Sequence, residues 1–235
     1  MSSEVATEKR PRQFVSYTFY RVQPEWRRLD PDLRRRGRQE FAAVVDEFRP
    51  SVFIKPYSLV GTRGDCDLML WKAAMELEIF NRIEAELNAT SLGGYLERPY
   101  SFLCTMRKSM YVEDGHGDRH GTRVEVKAHH GRYLFVYPFV KRRAWYALDR
   151  LARQSMMNEH FEIGARYPEF EINTAYSYGL DDQEFVVSFE GDDPHRFVDL
   201  LMELRESEAS AYTQRDTPTF TCIATPLEQA LELLG

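Results

Sequence analysis

The chain has few cysteines and no long apolar run. Its 235 residues include three cysteines, Cys66, Cys104 and Cys222, which lie far apart and form neither a CxxC pair nor a Cys/His zinc spacing. Neither a disulfide framework nor a zinc site is indicated, and reduced thiols are typical of the cytoplasm, where we expect this protein. The polar, basic stretch MSSEVATEKRPRQF lacks the apolar segment of a secretory signal, and no later stretch approaches the roughly 18 to 20 apolar residues of a membrane span.

The chain also lacks an excess of positive charge. It carries 31 Lys and Arg against 37 Asp and Glu, a net charge of −6 at pH 7. Because binding of a nucleic-acid backbone requires a basic face, we expect no nucleic-acid partner, and we expect no membrane association. The sequence contains no P-loop, no GxGxxG after a strand, no HExxH and no GxSxG. Nucleotide-dependent and hydrolase functions are therefore unsupported.

Apolar and aromatic residues are abundant enough for a sizeable core. They make up 43% of the chain and include 15 Phe, 13 Tyr and 3 Trp. In residues 13–110 the periodicity predicts a strand, a helix that reaches Phe48, two strands, a helix at Glu76–Leu87 and a final strand. The four predicted strands are FVSYTFYRV, SVFIKPYSLV, CDLMLWKAA and YSFLCTMRK. This β-α-β-β-α-β order is typical of a ferredoxin-like unit.

The same order recurs in residues 131–235. A strand, YLFVYPFV, precedes a long helix from Arg143 to about Tyr167, then a hairpin, a helix, a strand and a terminal helix, PLEQALELL. We therefore predict an α+β fold of tandem ferredoxin-like repeats that form a dimeric α+β barrel-like subunit, with the two sheets facing each other. The predicted boundaries are a flexible tail at 1–12, repeats at 13–110 and 131–235, and a linker at 111–130.

His160 occupies the apolar side of the long predicted helix. Leu148, Ala152, Met156 and His160 follow at steps of four residues, which places the imidazole on the core-facing stripe. An internal cofactor would find a ligand there. The alternative is a core histidine that forms a hydrogen bond with a neighbouring group, and the pattern leaves both interpretations open.

A group of cations and aromatic residues follows the first strand of the second repeat. Tyr137 is followed by Lys141, Arg142, Arg143 and Trp145. Such a group can hold a flat ligand that carries carboxylates, because the cations pair with the carboxylates and the rings cover its faces. The alternative, which composition alone favours, is a solvated helix start with a buried Trp.

Several histidines lie in the Gly-, His- and charge-rich linker: His116, His120, His129 and His130. They are compatible with a metal site. Short His-containing tracts in hydrophilic loops seldom bind metals, and no Cys or carboxylate spacing completes a site here. We therefore do not expect a metal in the linker.

Four motifs, in this order, resemble the chlorite dismutase family, which includes coproheme decarboxylases and haem peroxidase-like members. They are YPFVKRRAWY, MMNEHFEIGARYP, YSYGLDDQEFVVSFE and MELRESEASAYTQRDTPTF. The resemblance implies haem b or iron coproporphyrin III (coproheme) as cofactor, and a porphyrin and hydrogen peroxide as partners. It also implies a homo-oligomer, with a pentamer favoured because long-chain members of the family commonly form pentamers.

The resemblance assigns cofactor-binding roles to individual residues. His160 corresponds to the proximal iron ligand, and Glu208 matches the acidic partner of that histidine better than Glu206 does. Lys141 and Trp145 match positions near the haem edge and propionates. Arg142 can assist them, and Ser210 completes the cofactor-binding set.

Two further residues distinguish subtypes within the family. A tyrosine at the place of Tyr137 takes part in propionate oxidation in coproheme decarboxylases, whereas chlorite dismutases typically carry an aliphatic residue there. The distal residue, arginine in chlorite dismutases and often glutamine in decarboxylases, falls 13 residues after His160 at Asn173, with a one-residue ambiguity toward Ile172. An uncharged amide cannot hold an anionic oxidant as a guanidinium does, so chlorite dismutase activity is not expected.

These observations give three hypotheses. The first is a haem-dependent oxidoreductase with peroxide-dependent coproheme decarboxylase-like or peroxidase-like chemistry, in which the catalytic residues are Tyr137 and Asn173. The second is a non-catalytic protein that binds, senses or delivers haem. In the third, the fold persists without haem.

Overall fold

The computed structural model describes residues 12–111, 125–128 and 130–235. The tail at 1–11 and most of the predicted linker, with His116, His120 and His129, lie outside the described residues. Among the helices of the described part, none combines the length and the apolar character that a membrane span requires.

These ranges contain nine strands and six α-helices, which follow the predicted order except for one added strand and one divided helix. The strands are β1 (Phe14–Val22), β2 (Phe53–Ser58), β3 (Leu68–Ala74), β4 (Leu96–Met106), β5 (Tyr133–Lys141), β6 (Glu171–Tyr176), β7 (Phe185–Gly191), β8 (Thr213–Arg215) and β9 (Phe220–Ala224). The helices are α1 (Pro31–Phe48), α2 (Glu78–Ala89), α3 (Arg143–Ala147), α4 (Arg150–Ala165), α5 (Pro194–Glu206) and α6 (Leu227–Glu232).

The strands form two antiparallel sheets that join into a closed barrel. The order is β4-β1-β3-β2 in the first repeat and β6-β7-β5-β9 in the second, and β8 adds to β5 outside the ring. One seam pairs β4 with β6, where Thr105 lies opposite Tyr176, and the other pairs β2 with β9, where Tyr57 lies opposite Ala224. The predicted α+β fold of tandem ferredoxin-like repeats is confirmed, and closure removes the free edges of both sheets.

Alternating side chains divide the apolar residues between the barrel interior and the outer faces of the sheets. Along β5, Leu134 and Val136 join the interior core, whereas Phe135 and Tyr137 point outward. The outer face of the first repeat is covered by α1, α2 and α6. The outer face of the second is covered by α4 and α5, and this is the side that carries the candidate site.

The single long helix predicted from Arg143 to Tyr167 is in fact two helices. Leu148 is extended, with ψ 148°, and Asp149, with ψ 164°, starts α4 by accepting a hydrogen bond from the Ala152 N–H at 2.8 Å. Aspartate is a favoured N-cap because its carboxylate satisfies a free helix N–H. Leu148 therefore does not lie on the helix that carries His160, and the three-residue β8 was not predicted at all.

Removal of the Asp149 cap should destabilise α4. Asp149→Ala is expected to lower the free energy of unfolding by about 1 kcal/mol, because the Ala152 N–H loses its acceptor. Asp149→Asn is the matched control, since asparagine caps equally well and should remain close to wild type. Urea denaturation measures both variants, and equal stability of the Ala and Asn variants would contradict the assigned cap.

Candidate functional site

A cleft opens between the outer face of the second sheet and the helices α4 and α5. Its empty volume is about 1450 Å³, a figure that includes open solvent at the mouth. Both walls are mainly apolar, with Phe139, Val187 and Phe189 on the sheet and Met157, Phe161 and Leu204 on the helices. The cleft is therefore suited to a ligand with apolar faces.

His160 lines the helix wall of this cleft. Burial lowers the pKa of its imidazole to about 4, and the ammonium of Lys141 acts in the same direction. The imidazole is therefore neutral at pH 7. No hydrogen bond joins it to another described residue, so the structure does not provide the partner that a core histidine would have. A neutral imidazole without a protein partner has a free lone pair and is a suitable metal ligand.

Lys141 and Trp145 lie together at the end of the cleft. The Lys141 ammonium donates to the Ala209 carbonyl at 2.7 Å and lies 4.5 Å from the Trp145 ring centre. Burial lowers the pKa of Lys141 to about 8, against the opposing effect of the Glu184 carboxylate. Arg142 is exposed and outside the cleft, and its backbone N–H donates a hydrogen bond to the Tyr212 carbonyl. The interpretation as a solvated helix start thus fits Arg142 but not Lys141.

Tyr137 lines the sheet wall. Only 7% of the residue is exposed, and its ring stacks with Phe189 at 6.2 Å between centroids. Burial, followed by the nearby Asp216 carboxylate, raises the pKa of the phenol well above its usual range. The phenol forms no hydrogen bond within the described part of the chain. Asp216 also lines the cleft, where it accepts from Arg205 at 2.8 Å.

Asn173 faces away from the cleft, whereas Ile172, the other position that the sequence left open, lines it. Its amide N–H donates to the Lys127 carbonyl at 3.0 Å and its carbonyl accepts from the Lys127 N–H at 3.2 Å. Side chains alternate along β6, so Asn173 shares the barrel interior with Ala175, while Ile172 and Thr174 line the cleft. Counting residues from His160 does not reveal this register.

No hydrogen bond joins Glu208 to His160 in the described part of the chain. Its side chain is exposed, and its backbone N–H donates to the Glu159 carboxylate at 3.0 Å. The alternative, Glu206, is also exposed. The physical reason is a short 3₁₀ turn at Glu208–Tyr212, which directs Glu208 to solvent and brings Ser210 to the cleft. The structure thus brings together Tyr137, Lys141, Trp145, His160 and Ser210, and leaves Arg142, Asn173 and Glu208 outside.

Sequence reasoning missed two cations that line the cleft. Arg205 lies near the end of α5 and Arg107 follows β4 of the first repeat. Arg205 falls within the motif MELRESEAS, which could have indicated it, whereas Arg107 reaches the cleft only because the barrel closes at the seam between β4 and β6. Apolar walls, three cations and a neutral imidazole together fit a flat macrocycle that carries a metal and carboxylates.

Comparisons with known proteins agree with this arrangement. The family model "Chlorite dismutase" matches residues 34–225. A coproheme decarboxylase from Mycolicibacterium smegmatis is 30% identical over 165 residues, which cover 70% of each chain.

Solved structures share the fold over nearly the whole chain. A mutant chlorite dismutase from Candidatus Nitrospira defluvii has a TM-score of 0.87 at 23% identity, with 94% of this chain and 95% of that chain covered. A haem-binding protein from Thermus thermophilus has a TM-score of 0.84 at 26% identity, with 94% of each chain covered. The family model covers most of the residues that build both the barrel and the cleft, and the chain belongs to the chlorite dismutase family.

Proposed function

We propose that this protein is a haem-dependent oxidoreductase with peroxide-dependent, coproheme decarboxylase-like chemistry. The observation that carries the proposal is the neutral imidazole of His160, without a hydrogen-bond partner among the described residues, on one wall of an apolar cleft that has Tyr137 on its other wall. The similarity to a coproheme decarboxylase supports the same assignment.

The cleft residues divide into a metal ligand, walls and carboxylate partners. His160 would coordinate the iron, and the apolar side chains would cover the faces of haem b or coproheme. Lys141, Arg107, Arg205 and Ser210 would pair with the propionates as charged or hydroxyl donors, and Trp145 would pack beside the macrocycle edge. When bound, the ferric porphyrin supplies peroxide activation and redox chemistry.

Tyr137 is the proposed catalytic residue. Its raised pKa keeps the phenol protonated at neutral pH, so the ring would lose its proton only together with an electron. In the implied reaction a propionate would lose two electrons and a proton, its carboxylate would leave as carbon dioxide, and a vinyl group would remain on the porphyrin. Peroxide would take up the two electrons, that proton and one proton from solvent, and would become two waters. The protein would contribute orientation and exclusion of water.

The positions of β6 that face the cleft argue against chlorite chemistry. They are Ile172, Thr174 and Tyr176, and none of them is cationic. This strand therefore lacks the arginine that chlorite dismutases carry at the distal position, and the guanidiniums of Arg107 and Arg205 in the cleft would pair with the propionates instead.

The apolar Ile172 position also favours a second candidate, a non-catalytic protein that binds, senses or delivers haem. Both candidates retain a porphyrin as partner, a cytoplasmic location and a homo-oligomer, with a pentamer favoured, and the first also requires hydrogen peroxide. The site lies mainly in the second repeat, with Arg107 contributed by the first.

The ligand role of His160 can be tested without turnover. Titration of the protein with ferric coproheme and ferric haem, followed by absorbance, should give a stoichiometric Soret band for at least one of them. His160→Ala should weaken porphyrin binding by at least roughly 10- to 100-fold. Loss of a residue that only supports a metal ligand already has an effect of that size, and loss of the ligand itself should cost no less. His195→Ala is the control, because His195 is exposed on α5. An unchanged Soret band in the His160 variant would exclude the assigned ligand.

Tyr137 should be required for conversion but not for binding. Addition of peroxide to the coproheme complex should release carbon dioxide, detected as mass loss of the porphyrin, and Tyr137→Phe should slow this by about 100-fold or more. Tyr133→Phe removes a phenol from the same face of β5, away from the cleft, and should leave the rate unchanged. Binding without conversion in wild type would favour the non-catalytic candidate.

His160 should make the porphyrin-free protein less stable in acid. The imidazole titrates near 6.5 in the unfolded chain and at about 4 in the folded one, so the unfolded state binds the proton first as pH falls. The free energy of unfolding of wild type relative to His160→Leu should therefore fall between pH 6.5 and 4. A flat difference between wild type and His160→Leu over this range would contradict the lowered pKa.

A further inference from the structure

A cluster of two tyrosines and a carboxylate lies beside the cleft. We call it the tyrosine relay, and it consists of Tyr178, Tyr146 and Glu184. Tyr178 is 48% exposed at the protein surface, whereas Glu184 is only 8% exposed. None of the three lines the cleft, and the proposed decarboxylase chemistry does not use them.

The hydrogen bonds of the relay have a defined direction. The Tyr146 hydroxyl donates to the Glu184 carboxylate at 2.6 Å, and the two phenol oxygens of Tyr146 and Tyr178 lie 2.6 Å apart. Because Tyr146 has a single hydroxyl proton and donates it to Glu184, Tyr178 must be the donor to Tyr146. The chain of protons therefore runs from the surface phenol inward to the buried carboxylate.

This arrangement is suited to oxidation of Tyr178 by one electron. A phenol that loses an electron becomes strongly acidic and must pass its proton to a base. Tyr178 can pass its proton to Tyr146, which passes its own proton to Glu184. Burial raises the pKa of Tyr178 to about 12 and that of Tyr146 further, so both phenols hold their protons until an electron is removed.

Aromatic rings connect the relay with the cleft. Tyr176 lines the cleft, and its ring centre lies 6.4 Å from that of Tyr178 in a stacked orientation. Phe185 lies 5.1 Å from both rings. Two other tyrosines, Tyr111 and Tyr212, pack near Trp145, but neither phenol has a carboxylate partner in the described part of the chain. Of Tyr178, Tyr111 and Tyr212, only Tyr178 combines an exposed ring with a hydrogen-bonded path to a carboxylate among the described residues.

We propose that Tyr178 is a surface oxidation site for phenolic one-electron donors that are too large to enter the cleft. The proposal rests on the proposed function, because the oxidant is peroxide activated in the cleft. One electron passes from Tyr178 through Tyr176 to the cleft, and the Tyr178 proton moves along the relay to Glu184. An external phenol then returns an electron and a proton to Tyr178, and the proton on Glu184 is released. Two such phenols reduce one peroxide to two waters and leave as two phenoxyl radicals.

The first arm of the test maps the radical. The haem-loaded protein is mixed with an equimolar amount of hydrogen peroxide and a nitroso spin trap, and the labelled peptides are identified by mass spectrometry. The adduct is expected on Tyr178. It should be lost in Tyr178→Phe and reduced in Tyr146→Phe, which keeps the surface ring but breaks the path to Glu184. Tyr95→Phe, distant in the first repeat, is the control and should retain the adduct.

The second arm measures donor oxidation. Tyramine attached to dextran cannot enter the cleft, whereas free phenol can. Tyr178→Phe should lower oxidation of the dextran conjugate to the level without peroxide and leave the porphyrin titration and oxidation of free phenol unchanged. Equal loss of both oxidations, or an adduct that never falls on Tyr178, would overturn the proposal.

A third arm separates this proposal from the proposed function. The porphyrin-free protein is oxidised by azide radicals generated by pulse radiolysis, and the tyrosyl adduct is mapped again. If haem does not bind, the proposed function is wrong. The coupling of Tyr178 to the cleft is then wrong as well, even if azide radicals label Tyr178. If haem binds and peroxide is consumed while Tyr178 stays unlabelled, only the surface site is overturned.

Discussion

The site depends on the alternation of side chains along the strands of a closed barrel. Outward residues of β5, β6 and β7 line the cleft under α4 and α5, and inward residues such as Val136, Ala175 and Val186 face the interior of the ring. Closure fixes this choice, because a shift by one residue would move every buried side chain to the wrong face. Tyr137, Ile172 and Val187 therefore share one wall of the cleft, and the helices need only supply the opposite wall with His160.

Burial then determines the chemistry of the charged and titratable groups in the cleft. The imidazole of His160 and the ammonium of Lys141 both have lowered pKa values because burial disfavours their charged forms, and the positive charge of Lys141 lowers the pKa of His160 further. The nearby Glu184 carboxylate opposes the effect of burial on Lys141, so that its pKa of about 8 still lies above pH 7 and most of the ammonium stays charged. A neutral imidazole and a cation thus coexist within one apolar space.

The sequence indicated most of the fold and part of the site. Alternation in the strands and the repeated order of elements predicted the tandem repeats, and helical periodicity placed His160 on the inner face of α4. Asn173 was assigned by its spacing from His160, and Glu208 by its place in the motif MELRESEAS. Neither kind of evidence determines which face of a strand a residue occupies or where a 3₁₀ turn points. Arg107 was missed because it belongs to the other repeat and meets the cleft only through the barrel seam.

Asn173 illustrates what the inward face of β6 contributes. Its amide forms two hydrogen bonds with the backbone of Lys127, as a neighbouring strand would, and the adjacent Val126 N–H donates to the side chain of Gln13 at the start of β1. The chain that connects the repeats is thereby tied to both of them from inside the barrel. Spacing from His160 suggests that a substitution at position 173 would alter the distal side of the cleft. In the structure it would instead alter the contact with the segment that connects the two repeats.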